Sequence, residues 1–183
     1  MAKGLWRSTF IGGFIAWLWM AVSWNVLPWH CSVINNFPNE SETVKVISEQ
    51  VKDSGIYTSP SMCGGAGTMV ENTQIFLSVN KNGTAQGGII PYVISLITYF
   101  IGGLIVALIV MQMASNSYGW KLFATAMIGL AVGVLTMLPA WNWWGVPFDY
   151  ALLMIVDNFL AWLFAGLVIA AFIHPKHRKG DKA

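Results

Sequence analysis

"FDYALLMIVDNFLAWLFAGLVIAAFI", residues 148–173, is an apolar run broken by two carboxylates, Asp149 and Asp157, and by no basic side chain. At 1.5 Å per residue, about 20 apolar residues cross a hydrocarbon core of about 30 Å. Lipid offers no hydrogen bonds to an exposed backbone, so such a run must be a helix. Three further runs match it. They are 8–27 ("STFIGGFIAWLWMAVSWNVL"), stopping at Pro28; 89–113, holding "YVISLITYFIGGLIVALIVMQM"; and 120–138 ("WKLFATAMIGLAVGVLTML"), stopping at Pro139.

The composition agrees. The chain has 183 residues, 56% hydrophobic and 10% charged, against about 25% charged in soluble domains. Charges are missing from 8–39, 82–120 and 122–148. The expected class is therefore an all-α membrane protein. It is a four-transmembrane-helix bundle with a small extracytoplasmic α/β cap between helices 1 and 2. The parts are 1–29 (cytoplasmic N-terminus and helix 1), 30–88 (cap), 89–173 (helices 2–4) and 174–183 (basic cytoplasmic tail). A cleaved signal peptide is the competing reading of the first run, with small residues "AVS" at 21–23. That run, however, exceeds the usual apolar length of about 7–15 residues and continues past the site.

Charge sets the orientation. Lys3, Arg7, Lys121, Lys176, Arg178, Lys179 and Lys182 fall on the side of the termini, and Lys45, Lys52 and Lys81 on the other. Seven basic residues against three place both termini in the cytoplasm by the positive-inside rule. The net charge of +2 thus reflects topology, and no nucleic-acid partner is expected. Trp24, Trp29, Trp141, Trp143 and Trp144 form an outer aromatic belt, with Trp6 and Trp120 at the inner interface. "PAWNWWGVP" (139–147) then reads as an outer interfacial loop.

In the cap, "NESETVKVISEQVKDSG" predicts an amphipathic helix. Asn39 caps it with Glu42 three residues on, and Val44, Ile47 and Val51 share one face. "GIYTSP" and "TQIFLSVNKNG" read as strands around a glycine-rich loop, "SMCGGAGTM". Sixty residues bury little core alone, so the segment is expected to pack onto the membrane helices. Cys31 and Cys63 are the only cysteines. On the oxidising side of a membrane their default is a disulfide, with free thiols as the alternative. A metal site of His30, Cys31 and Cys63 lacks an evident fourth ligand, so no metal or cofactor is expected.

Asp157 is the sharpest feature within a span, about 12 Å below the surface at 1.5 Å per residue. A carboxylate there is costly and is by default a proton or cation site. No basic residue lies in another span to pair with it. Asn158, Asn25 and Tyr99 are the candidate hydrogen-bonding neighbours, Asp149 two turns above lies on nearly the same face, and His30 is a candidate proton donor above Asp149. The alternative is a neutral Asp157 tying two helices together. Small residues recur at spacing four: Gly129 with Gly133, Gly103 with Ala107, Gly166 with Ala170. They predict close helix packing within the chain or between copies. Met111, Met113, Met127, Met137 and Met154 read as apolar filler.

Nucleotide-loop, zinc-protease and nucleophile-elbow signatures are absent. Disulfide-generating quinone oxidoreductases need a closely spaced redox cysteine pair, whereas these cysteines are 32 residues apart. The claudin Trp…Gly-Leu-Trp…Cys…Cys pattern is not reproduced. "SWNVLPWH" (23–30), an acidic helix and "SGIYTSP" (54–60) resemble a group of small, uncharacterised bacterial membrane proteins. These share a first span ending in a Val-Leu-Pro-Trp-His motif. The resemblance implies a bacterial inner-membrane setting and no particular activity. The functional expectation is a non-enzymatic accessory, assembly or envelope-stability component in contact with the lipid bilayer, as a homo-oligomer or within a larger membrane complex. A small transporter or proton-coupled factor using Asp157 is the first alternative, and a lipid- or quinone-directed enzyme the second.

Overall fold

A computed structural model describes residues 2–63, 67–83, 88–113 and 117–173. The basic tail 174–183, on which much of the charge asymmetry rests, lies outside the described residues, as does part of the glycine-rich loop. Four helices are long and apolar enough to cross a membrane: Lys3–Asn25, Ile89–Met111, Tyr118–Trp144 and Phe148–Phe172. The chain is a multi-pass, mostly helical membrane protein with a small two-stranded sheet.

The first span is α1 (Ala2–Arg7), a π turn (Ser8–Gly12) and α2 (Gly13–Asn25) in continuous succession. A π turn inserts a residue into the helix and so rotates the turns beyond it about the axis. Here it leaves Gly12 facing Ile169 and Gly13 facing the Tyr99 carbonyl. The short α3 (Trp29–Val33) comes after Pro28, and α4 (Glu40–Gln50) after Asn39. Strands β1 (Gly55–Ser59) and β2 (Ile75–Val79) pair antiparallel with Tyr57 opposite Leu77. Then come α5 (Ile89–Met111), α6 (Tyr118–Trp144) and α7 (Phe148–Phe172).

Helices α6 and α7 form the most extensive pair. The first span packs against both α7 and α5, while α5 and α6 touch only marginally. The helices therefore neighbour each other in the order α6, α7, first span, α5. In lipid the tails are as apolar as the side chains, so close backbone approach and van der Waals fit drive association. A Cβ on Gly103 would stand 2.7 Å from the Thr9 carbonyl oxygen. On Gly129 it would stand 2.6 Å from the Asn158 carbonyl, on Gly133 2.8 Å from the Ile155 Cα, and on Gly166 3.0 Å from Thr125. Each of these glycines meets another helix of the same chain. The buried centre is small and aliphatic: Ala16, Val106, Ala107, Val110, Ala161, Ala165 and Ile169, closed on one side by Trp162.

Three sequence expectations need correcting. Pro139 does not stop its helix; α6 runs through it to Trp144, so most of "PAWNWWGVP" is helical. Proline removes one hydrogen bond, and the remaining ones hold the helix until Gly145 adopts φ 71°, where the Val146 amide closes on the Ala140 carbonyl. Lys121, counted by charge on the side of the termini, is not a solvated cation there. It is buried in the first turns of α6 and its Nζ donates to the Ile173 carbonyl at 2.7 Å. A cation there satisfies the negative end of α7. The apolar face of α4 is largely uncovered: Val44 is half exposed and only Val51, just past the helix, is buried. The capping is as the sequence predicts, with Asn39 Oδ1 accepting from the Glu42 amide and Asn39 Nδ2 donating to Glu42 Oε2 at 2.7 Å.

The sheet touches the helices at the end of α6. Gln74 Nε2 donates to the Trp143 carbonyl at 2.9 Å, and the Phe76 and Trp144 rings lie 4.9 Å apart.

Candidate functional site: a buried histidine–aspartate cluster

The site begins with a broken helix. Beyond Asn25 the chain leaves helical geometry, and Pro28, with no N–H to give, starts the new helix α3. That reversal turns Trp29 and His30 back onto the bundle. On α2, Trp19 and Ser23 are four residues apart and so share one face. On α7, Asp157 is nine residues from the helix start, about 13 Å along the axis. Its side chain is wholly enclosed, as is that of Ser23, and His30 is 2% exposed.

The cluster is centred on the Asp157 carboxylate. Trp19 Nε1 donates to Oδ1 at 3.0 Å. The Ser23 hydroxyl lies 2.7 Å from Oδ1 and 2.8 Å from Oδ2, so its proton is shared between the two oxygens. Trp29 Nε1 donates in turn to Ser23 Oγ at 3.0 Å. His30 Nε2 stands 3.1 Å from Oδ2, within ion-pair range, yet its ring is not aligned for a directed hydrogen bond, so the contact is mainly Coulombic. The Trp24 indole stacks on the outer face of the imidazole, ring centres 3.9 Å apart and 21° between planes.

The tautomer is set by geometry. His30 Nδ1 is 3.1 Å from the Ser23 carbonyl oxygen, which can only accept, so Nδ1 carries a hydrogen. Nε2 then faces Oδ2. An enclosed site disfavours a net charge, so a neutral pair, imidazolium with carboxylate or imidazole with carboxylic acid, is the least costly at such depth.

The sequence candidates separate into those that join this cluster and those that do not. Asp157 and His30 meet, so Asp157 does have a basic partner, contributed by α3 and not by a span. Asn158 turns to α6, its Nδ2 donating to the Met154 carbonyl at 2.8 Å. Asn25 is exposed, donates to the Ala21 carbonyl and accepts from the Tyr92 hydroxyl at 3.4 Å. Asp149 is exposed and accepts from the Tyr150 amide at the start of α7, with no link to Asp157. Tyr99 packs its ring against Trp162. Trp19, Ser23 and Trp29 join the cluster although the sequence did not point to them. The four-residue spacing of Trp19 and Ser23 was the available signal.

The cysteines do not form the expected disulfide. Cys31 and Cys63 are free and exposed. With His30 turned inward on α3, the next residue, Cys31, faces out. No group of three or more His, Cys, Asp or Glu side chains converges to hold a metal ion among the described residues. No known protein family, curated protein or solved structure matches the chain at a significant level.

Proposed function

We propose that this is a non-enzymatic accessory or assembly component of a bacterial cytoplasmic membrane, with the Asp157 cluster as its internal tie. The observation that carries this reading is the enclosure of Asp157. Both carboxylate oxygens are engaged by protein donors, and the side chain has no exposed surface. A transport site must load and release, which calls for a lone pair open to water in at least one state. The tie instead joins α2, α3 and α7 at one point and fixes the angle at which the segment after Pro28 leaves the bundle. The excess of basic residues beside the termini supports a cytoplasmic placement of both, with 30–88 outside. The bacterial setting is inferred only from the sequence pattern of 23–30, the acidic helix and 54–60. The long exposed apolar face of α5 supports contact with lipid and with further copies or partner proteins.

A second reading rests on the contact itself. A histidine and an aspartate 3.1 Å apart inside a bundle form the kind of pair a proton-coupled factor uses. Purified protein in vesicles carrying an internal pH dye separates the two. The first reading predicts that an imposed pH gradient decays as in empty vesicles, for both the wild type and Asp157→Asn. A decay accelerated by the wild type and abolished in Asp157→Asn, with the folded protein equally stable, establishes the second and overturns the first.

A further inference from the structure

Between α2 and α5 lies a groove of about 280 Å³, walled by aromatic rings and edged with hydroxyls. Tyr92, Ser95 and Tyr99 line it from α5 at spacings of three and four, and so stand on one helix face. Trp17, Ala21 and Trp24 line it from α2 at spacings of four and three. At the end nearest Pro28 the Tyr92 hydroxyl donates to Asn25 Oδ1 at 3.4 Å across the groove. None of the lining residues is charged. Trp24 also stacks on His30, so the groove shares one wall with the Asp157 cluster.

Deeper in, the polar groups lack partners. Tyr99 is the eleventh of the 23 residues of α5, near the middle of the span, where the surrounding lipid is hydrocarbon. The Ser95 and Tyr99 hydroxyls and the Trp17 indole N–H have no hydrogen-bond partner among the described residues. Other hydroxyls in the spans find one locally: Thr98, Thr125 and Thr136 each donate to the carbonyl four residues back. An unpaired donor in hydrocarbon is costly, and here three of them line one groove.

We propose that this groove binds the head of a membrane quinone, a neutral flat ring with two carbonyl acceptors and an apolar tail. An uncharged lining gives nothing to a phosphate or carboxylate head, and the ester carbonyls of a phospholipid stay near the membrane surface. A quinone ring is lipid-soluble and reaches the middle of a span. Its carbonyls sit at opposite edges of one ring, and Ser95 and Tyr99 are donors one turn apart, about 6 Å along the axis. The indoles of Trp17 and Trp24 offer the ring offset stacking. The groove binds the quinone without reducing it, and the inference does not depend on the role of the Asp157 tie.

The test titrates full-length protein in detergent with decylubiquinone and reads the loss of tryptophan fluorescence against free tryptophan amide in the same micelles. One saturable equivalent is expected. Ser95→Ala and Tyr99→Phe should each bind about tenfold more weakly, the contribution of one hydrogen bond. The ring at position 99 stays packed on Trp162, so thermal midpoints remain those of the parent. Ala21→Leu adds bulk to the groove wall without removing a donor and should abolish saturable binding. Methyl decanoate, with a carbonyl and a tail but no ring, should not displace the quinone. Quenching of the parent no more saturable than that of the free amide overturns the proposal. Parental binding by Ala21→Leu or by the Ser95→Ala/Tyr99→Phe double variant overturns it as well. Displacement by methyl decanoate at equal concentration does the same, because the groove would then hold an acyl chain.

Discussion

Replacing Asp157 with alanine removes the acceptor on which three donors converge. Trp19 Nε1 and the Ser23 hydroxyl lose their partner, and His30 Nε2 loses its counter-charge, all in an enclosed region. A buried donor left unsatisfied costs about 1–3 kcal/mol, and breaking a buried ion pair from one side costs about 3–5 kcal/mol. Partial collapse of α3 toward the gap recovers some of this, so a net loss of about 4 kcal/mol is expected. In a chain of this size 1 kcal/mol corresponds to about 2–4 °C in the midpoint, and the fall should be on the order of 10 °C. Asp157→Asn differs in kind. Its amide oxygen can still accept from Trp19 and Ser23, and its NH₂ fills the space beside His30 without leaving a gap. It should cost no more than about 1–2 kcal/mol. The assay is thermal unfolding of detergent-solubilised protein, read as loss of the monodisperse peak. A double-mutant cycle with His30→Ala should show strong non-additivity, since either change alone abolishes the pair. The reasoning fails if alanine shifts the midpoint by less than about 3 °C, or if asparagine is as damaging as alanine.

Gly103→Val should separate α5 from the first span, because the new Cβ would press on the Thr9 carbonyl and the Gly13 amide, both backbone. A loss of about 3 kcal/mol is expected in the same unfolding assay, with Gly119→Ala, which meets only open space and a serine hydroxyl, as the neutral control. Lys121→Met should cost about 1–2 kcal/mol by leaving the Ile173 carbonyl without its cation, a loss that added salt should not reproduce in the wild type because the pair is buried. Both cysteines should react with a membrane-impermeant maleimide without prior reduction, as two exposed thiols do. Protection of both until a reductant is added would restore the disulfide expected from sequence.

How much could be read in advance differs between the spans and the site. The spans were legible because lipid imposes one rule on every residue of a segment: enough apolar length, and a helix to satisfy the backbone. Thus the second and fourth helices begin where composition places them, whereas the first begins more than a turn before Ser8, already helical at Lys3. Pro139 misled because a proline removes one hydrogen bond, and a long helix tolerates that loss when a positive-φ glycine further on supplies the true end. The capping of α4 was legible because it is local, a matter of Asn39 and Glu42 three residues apart.

The cluster was not local. Sequence by itself marked Asp157 as an expensive carboxylate that needed a partner, and marked Pro28 as the end of a helix. It could not say that the chain beyond Pro28 folds back, because that depends on which groups α7 presents to it across more than a hundred residues. Only the tertiary structure chose His30 over Asn25 and Asn158, for a reason set by direction. Asn25 points to α5 and Asn158 to α6, whereas α3 aims His30 at Asp157. The membrane fixes how many helices there are; the packing of α7 against α2 and α3 decides which polar groups share its interior.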